Sequence, residues 1–266
     1  MFLEKDNYVV VNYHYVEDFP KGRKGIFPCS VSDFDKQIKF LSKNYSVLTV
    51  ENVFKSAVAR KKGRFCAITF DDGLKDQYYN ALPILEKYGA VAAFFPITSV
   101  FDGYLPMAHK IHTVLSYIDV REVCSAFNEF LKNLDLGALK YIIPHDRRLT
   151  AHRLHENLAD ANFKETMKIV PFDIRNNFLD KCFKQIGLTE FEVSCRLFMD
   201  LEEIKSLRRR GMMLGNHSHG HAALGLMADN LVRDEVALAG RVFFNLLGEP
   251  PKIFSYPHGE NSEVSR

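Results

Sequence analysis

The sequence predicts an α/β fold whose strands form a parallel sheet or barrel. Strand-like and helix-like segments alternate over residues 8–97 and again over residues 201–256, which is typical of parallel sheets with helical crossovers. Residues 65–70 form an unbroken apolar run, as expected of a strand buried on both faces. That strand and the strand before residue 217 both lead directly into polar residues. The sequence therefore predicts a site at the edge of the sheet where parallel strands end.

The first half of the chain supplies most of the predicted strands. The predicted strands cover residues 8–15, 46–50, 65–70 and 91–97, and the predicted helices begin at residue 32 and cover residues 51–60 and 76–88. Phe34, Ile38 and Leu41 give the first helix an apolar stripe at helical spacing. Gly89 follows the third helix, as a C-terminal glycine often does.

The alternation stops after residue 97. Residues 101–196 are charged and mostly helical in pattern, with amphipathic helices predicted over residues 116–134 and 174–186. We therefore expect residues 1–266 to be one domain with a helical insertion over residues 101–196, which could serve as a lid or a substrate platform. A helix over residues 201–210, a strand over 212–216, a helix over 229–247 and a strand over 252–256 follow.

Composition excludes several classes of protein. The 266 residues are 47% apolar, enough for a full core, and the net charge of +2 argues against a nucleic-acid partner. The five cysteines are odd in number and scattered, which indicates reduced thiols in a reducing compartment. The N-terminus is charged and no apolar run is long enough to span a bilayer. We expect a cytoplasmic protein without a transmembrane segment, with peripheral membrane association left open.

A cluster of histidines follows the strand over residues 212–216. His217, His219 and His221 lie within five residues, and a short histidine-rich tract is typical of metal binding. His217 and His221 are four apart, so on a helical turn both side chains could reach one metal ion. The alternative is a surface cluster or a helix cap.

Two adjacent carboxylates, Asp71 and Asp72, end the strand over residues 65–70. In an extended segment their side chains point in opposite directions, so one could bind a metal while the other stays free as a base. The alternative is that one of them only caps the next helix.

These motifs together resemble the polysaccharide deacetylase family, also known as the NodB homology domain or carbohydrate esterase family 4. The segments that carry the resemblance are Thr-Phe-Asp-Asp-Gly at residues 69–73, His-Ser-His-Gly-His at 217–221, Phe-Ser-Tyr-Pro-His-Gly at 254–259, Tyr13-His14, and residues 81–85 and 92–95. The resemblance covers about residues 8–100 and 200–260. It implies a distorted (β/α) barrel of the NodB type and a hydrolase that removes an acyl group from a carbohydrate, with N-acetyl as the expected group.

The resemblance also implies roles for individual residues. Asp72, His217 and His221 would bind a divalent metal, usually zinc in this family, and Asp71 would be the catalytic base. The backbone N–H of His258 would supply an oxyanion donor, and Pro257 would fix the backbone that leads into it. Such a donor set leaves a coordination position open, where the metal activates water and polarises an acyl carbonyl.

The chain departs from the family pattern in the segment at residues 254–259, which is the third motif of the resemblance. Ser255 replaces a frequent arginine, and His258 replaces an aromatic residue. The chain contains no tryptophan and has seven residues after Gly259, whereas the resemblance implies later motifs with a general-acid histidine. We therefore expect a domain that lacks its C-terminal strands, with its general acid unassigned. The histidines of residues 101–196 could substitute, although their pattern favours an exposed helix surface: His109, His112, His145, His152 and His155.

Several readings of the function stay open at this point. The substrate could be an N-acetylated glycan or a lipid-linked or nucleotide-linked sugar. A close alternative is a deformylase or amidase that acts on such an aminosugar. A second is a relative that binds carbohydrate without catalysis, and a third is a structural protein with a chance motif, which would bind no metal.

Overall fold

The computed structural model of the protein describes residues 7–18, 26–134, 136–151, 153–259 and 264. These residues form two compact units. The sheet unit contains the described residues of Met1–Phe19, Pro28–Pro106 and Ser194–Arg266, and the helical unit contains those of Pro20–Phe27 and Met107–Val193. The prediction of one domain with an insertion over residues 101–196 stays a prediction.

The described strands all belong to the sheet unit and pair in parallel. They are β1 (Asn7–Tyr13), β2 (Ser46–Val47), β3 (Arg64–Asp72), β4 (Ala92–Pro96) and β5 (Met213–Leu214). Their order is β1-β3-β4-β5, and β2 pairs with the start of β3. Because every pairing is parallel, the C-terminal ends of the strands lie on one edge. The predicted α/β fold with a parallel sheet is confirmed, and within the described residues the sheet does not close into a barrel.

The predicted strand over residues 252–256 is reduced to a single bridge. Phe254 bridges Asn216 in parallel, with Asn216 N–H donating to Ile253 O at 2.9 Å and Ser255 N–H donating to Asn216 O at 3.0 Å. Pro257 lacks an N–H and cannot continue such a ladder. This bridge still extends the parallel pairing beyond β5 and places the third motif beside the histidine cluster.

The predicted helices are present with two changes, and the region of residues 101–196 contains further helices that the sequence pattern did not delimit. They are α1 (Val31–Asn44), α2 (Val50–Val58), α3 (Leu82–Lys87), α4 (Met107–Tyr117), α5 (Val120–Lys132), α6 (Leu158–Ile169), α7 (Phe172–Ile186), α8 (Glu190–Leu197), α9 (Leu201–Arg209) and α10 (Asp229–Leu247). The prediction of one helix over residues 116–134 is wrong, because Asp119 starts α5 by accepting a hydrogen bond from Arg121 N–H at 3.0 Å. The predicted helix over residues 76–88 begins as a π-helix, Gln77–Ala81, before α3.

An aromatic stack joins three strands and α1 directly below the polar edge. The Phe70 ring on β3 is fully buried and stacks on Phe94 of β4 with their centroids 4.7 Å apart. The same ring contacts Tyr13 of β1 at 5.5 Å and Phe34 of α1 at 5.8 Å. Because Asp71 follows Phe70 in the chain, this packing determines where the carboxylates leave the core.

The helical unit has its own core and a buried ion-pair network. The Phe127 ring of α5 packs edge-on against Phe178 of α7 at 4.9 Å. Glu156 is 5% exposed, and its Oε1 lies 3.0 Å from Lys164 Nζ and 3.1 Å from Arg153 Nη1. Paired charges of this kind can remain buried because each offsets the desolvation of the other.

No helix in the described part of the chain has the length and apolar character needed to cross a lipid bilayer. The cytoplasmic location stays a prediction.

Candidate metal centre and active site

Asp72, His217 and His221 converge at the C-terminal edge of the sheet. Oδ1 of Asp72 lies 3.4 Å from Nε2 of His217 and 3.3 Å from Nε2 of His221. In the described residues, these three form the one group of metal-ligand side chains whose donor atoms all lie within 4.8 Å of one another. Two imidazole nitrogens and one carboxylate oxygen are a donor set that suits zinc. The three residues therefore fit a divalent cation.

A backbone carbonyl orients the His217 ring. Its Nδ1 lies 2.8 Å from the carbonyl oxygen of Ser255. Because a carbonyl only accepts, Nδ1–H is the donor, and in the neutral ring Nε2 keeps its lone pair towards Asp72. This contact gives Ser255, which the sequence marks as a departure from the family, a positioning role through its main chain.

The two imidazoles differ in their preference for a proton. Burial opposes the charged form of His217, yet its hydrogen bond to Asp72 and the charges of Asp71 and Asp72 outweigh burial and raise its pKa. Burial lowers the pKa of His221 to about 3. His221 is therefore neutral at physiological pH, the form that binds a cation.

The histidine segment is a loop, so the prediction that His217 and His221 share a helical turn is wrong. Side-chain hydrogen bonds replace helical ones: Ser218 N–H donates to Asn216 Oδ1 at 2.8 Å, and His221 N–H donates to Ser218 Oγ at 3.0 Å. Asparagine and serine commonly make such local turns. The loop brings both rings to one place by a different route, with their centroids 5.0 Å apart.

Asp71 and Asp72 both belong to β3, as predicted, but the backbone of Asp72 is not extended. Asp72 has φ 73°, a left-handed conformation that turns the chain at the end of β3. Four of the six non-glycine residues with positive φ among the described residues are at this site: Asp72, Ser218, His221 and His258. Each such conformation costs about 1–3 kcal/mol and recurs at functional sites. The surrounding packing therefore holds this loop cluster in a strained geometry.

Asp71 is held beside the three residues by a chain of hydrogen bonds. Its Oδ2 accepts a hydrogen bond from Asn12 Nδ2 at 2.8 Å, while Thr69 Oγ1 donates to Asn12 Oδ1 at 2.9 Å. Thr69 thereby fixes which end of the Asn12 amide faces the carboxylate. Oδ1 of Asp71 is buried and has no hydrogen-bond partner within the described residues. This oxygen is available to accept a proton.

His14 is a site residue that the sequence does not assign. Its Nε2 lies 4.0 Å from Oδ2 of Asp71, and its side chain is 53% exposed. Asn12 belongs to β1 and His14 is the first residue after it, so both lie at the same strand end. Polar residues at the end of an apolar strand are the signal that could have identified both.

The segment of residues 254–259 brings His258 close to His221, one of the three candidate metal ligands. The His258 ring lies 4.9 Å from that of His221, and Pro257 is buried beside it. His258 has φ 63°. The assignment of its backbone N–H as an oxyanion donor stays a prediction.

The histidines of residues 101–196 are placed differently. His109, His112, His145 and His155 belong to the helical unit, where His109 is buried. His152 lies outside the described residues.

Fold and site together define a class of protein: an α/β protein with an Asp-His-His group that fits a cation and a separate carboxylate at the ends of parallel strands. Such a site can activate water and place a base beside it. The sequence matches the family profile described as polysaccharide deacetylase over residues 59–117 and 150–266. The chain belongs to the polysaccharide deacetylase family, whose members are hydrolases acting on carbon–nitrogen bonds other than peptide bonds.

Solved structures agree with the fold. The deacetylase PplD of Streptococcus pyogenes, in complex with acetate, is 14% identical over 96% of this chain and 76% of its own, with a TM-score of 0.54. IcaB from Ammonifex degensii is 15% identical over 97% and 77%, with a TM-score of 0.52. A de-N-acetylase from Aggregatibacter actinomycetemcomitans is 13% identical over 97% and 82%, also with a TM-score of 0.52. At these identities the likeness shows a shared fold. No curated protein matches the sequence.

Proposed function

We propose that the protein removes the N-acetyl group from a carbohydrate, using a divalent cation bound by Asp72, His217 and His221. The observation that supports this most directly is the approach of both Nε2 atoms to Oδ1 of Asp72, at 3.4 and 3.3 Å. Zinc is the cation we expect, because two imidazoles and a carboxylate suit it. When bound, it would supply Lewis-acid chemistry that eases deprotonation of the attacking water and polarises the acyl carbonyl.

Asp71 is the general base in this proposal. The Asn12 amide holds Oδ2 at 2.8 Å and leaves Oδ1 without a partner among the described residues. Oδ1 accepts the proton of the attacking water. A base whose orientation is already set avoids the cost of ordering it during the reaction.

His14 is the general acid in this proposal. Its Nε2 lies 4.0 Å from Oδ2 of Asp71. Its exposed ring can reach a substrate nitrogen and protonate the leaving amine, which an amide needs for cleavage. The acid then comes from the residue that directly follows β1.

Pro257 and His258 complete the assignment. The buried Pro257 fixes the chain that leads into His258. The backbone N–H of His258 would donate to the oxygen that becomes negative as water attacks the acyl carbon. The ring of His258, 4.9 Å from that of His221, keeps this segment against the cation site.

The substrate is a carbohydrate that carries an acylated amine, either a glycan or a sugar linked to a lipid or a nucleotide. Acetate and formate release from a panel of N-acetylated and N-formylated aminosugars and oligosaccharides would separate a deacetylase from a deformylase. Wild type should bind about one zinc per chain and release acetate.

Asp71→Asn should keep the zinc but lose about 10²–10⁴-fold in rate, as expected when a general base is removed. His217→Ala should lose both the zinc and the activity. His145→Ala, an exposed histidine of the helical unit, is the matched control and should change neither. Zinc bound without release of any acyl group would favour a protein that binds carbohydrate without catalysis. Absence of bound metal in wild type would refute the site itself.

A further inference from the structure

Gln77 is a fully buried polar residue beside the site that the proposed chemistry does not use. Its Nε2 donates two hydrogen bonds, one to the carbonyl oxygen of His14 at 3.0 Å and one to that of Asp71 at 2.6 Å. His14 directly follows β1, whereas Asp71 belongs to β3. A single side-chain amide therefore links the backbone of the proposed acid to that of the proposed base.

Two neighbouring side chains bind the backbone of Val16. We call residues 14–16 the His14 segment. Val16 N–H donates to Asp76 Oδ2 at 2.6 Å, and Asn80 Nδ2 donates to Val16 O at 2.8 Å. Asp76, Gln77 and Asn80 thus make four hydrogen bonds to main-chain atoms around the site, and we call these three residues the π-helix clamp. In the clamp, Asn80 contacts only the His14 segment, whereas Gln77 contacts both that segment and the carbonyl oxygen of Asp71.

The clamp residues lie at or within the π-helix Gln77–Ala81. Pro83, in the first turn of α3, has no N–H to give to the carbonyl four residues before it, which favours a wider turn at this point. π-helices are rare and are often found at functional sites. Here the wider turn presents the polar side chains of the clamp to the two strand ends.

The hydrogen bonding of Gln77 argues against a purely packing role. Its Oε1 is buried and has no hydrogen-bond partner in the part of the chain that the structure describes. A buried, unsatisfied acceptor costs about 1–3 kcal/mol, and an apolar side chain of similar size would avoid that cost. What Gln77 provides in return is its pair of N–H donors.

We propose that Gln77 is a positioning residue that sets the spacing between Asp71 and His14. Asn80, by contrast, positions only the His14 segment and not Asp71. This inference rests on the proposed function, because it takes Asp71 as the base and His14 as the acid. It predicts that the two residues affect different steps of the reaction.

The test compares two substrates whose leaving groups differ. One is the N-acetylglucosamine oligosaccharide from which wild type releases acetate fastest, and the other is 4-nitrophenyl acetate. The amine of the sugar needs a proton to leave, whereas 4-nitrophenolate does not, so only the sugar substrate depends on the general acid. Zinc content, kcat, KM and the melting temperature are measured for each variant.

Gln77→Met should lower kcat about 10- to 100-fold on both substrates, as a misplacement of about 1 Å can do. Asn80→Ala should lower kcat about tenfold on the sugar and less than about twofold on the ester. Zinc content should stay unchanged in both variants, and KM should stay within about twofold of wild type, because neither residue is a proposed ligand. Gln37→Met is the matched control. In wild type, Gln37 Oε1 accepts a hydrogen bond from Tyr13 at 2.7 Å. This variant should match wild type on both substrates.

A folded Gln77→Met variant with wild-type kcat and only a lower melting temperature would overturn the proposal. Equal slowing of both substrates by Asn80→Ala would also overturn it, and this variant decides the question if Gln77→Met does not fold. If wild type hydrolyses only the ester, with zinc and Asp71 required, the proposed carbohydrate activity fails. The effect of Gln77→Met on the ester would then still support or refute its role in positioning Asp71.

Discussion

Gly73 offers a sharp test of how tightly the packing of β3 against β4 determines the site. Gly73 follows Asp72 and has φ 76°, and a Cβ added there would lie 2.6 Å from Pro96 Cβ and 2.8 Å from Pro96 Cα. Pro96 ends β4, is paired in register with Asp72, and has no flexible side chain that could move away. Gly73→Ala should therefore strain the junction that carries both aspartates.

The cost has two parts. An L-residue with left-handed φ costs about 1–2 kcal/mol, and forcing extra volume into a packed site costs about 1–3 kcal/mol. Together these give a loss of about 2–5 kcal/mol in the free energy of unfolding. Gly211→Ala separates the two parts, because Gly211 has a similar φ of 82° and an added Cβ there would meet nothing within 4 Å.

Urea unfolding followed by far-ultraviolet circular dichroism measures both variants in a protein that has no tryptophan. Gly73→Ala should be less stable than Gly211→Ala by about 1–3 kcal/mol, the contribution of the contact with Pro96. The gain from a less flexible unfolded chain is common to both and cancels. Equal losses in the two variants would refute the reasoning, because they would show that Pro96 yields without cost.

Three further predictions concern pH, packing and the cation. Burial, the largest cause, raises the pKa of Asp76 to about 7, so between about pH 4 and pH 7 the folded protein keeps a proton that the unfolded chain releases, and stability falls as pH rises through that window. Asp76→Asn should remove this fall, so its stability relative to wild type should increase from pH 4 to about pH 7 and then stay constant. A difference between the urea midpoints of the two proteins that is the same at every pH in the window would contradict this. Phe70→Ala should lower the free energy of unfolding by about 3–5 kcal/mol, because it empties the centre of the aromatic stack. Phe40→Ala, at a position 55% exposed, should lower it by under about 0.5 kcal/mol. Similar losses in the two variants would show that the stack contributes little. Removing zinc with a chelator should lower the melting temperature of wild type by several degrees and leave that of His217→Ala unchanged, because a cation bound only to the folded state stabilises it by mass action; an equal decrease in both would count against the cation site.

Local sequence patterns predicted most of the elements correctly. The apolar run of residues 65–70 lies in the buried part of β3, and the predicted helix over residues 229–247 has the bounds of α10. The errors fall where side chains compete with the regular pattern. Asp119 starts a new helix within the region predicted as one, and the segment of Phe254 makes one bridge where a strand was predicted.

For the site, the residue types and the strand ends predicted which side chains meet. The local geometry differed: the histidines lie in a loop rather than on a helical turn, and Asp72 departs from extended geometry at the end of β3. Left-handed φ angles at Asp72, Ser218 and His221 have no clear sequence signal, because such conformations are rare for these residues and depend on the packing around them.

The sequence by itself determined that buried parallel strands end in two carboxylates and a histidine cluster, because apolar runs and polar strand ends are local properties. Only the tertiary structure decided that Asn12 holds Asp71, that Ser255 orients His217, and that His14 lies beside the carboxylate. Each of these contacts joins residues far apart in the chain. Their partners are selected by strand order and register, which the packing of the whole sheet determines.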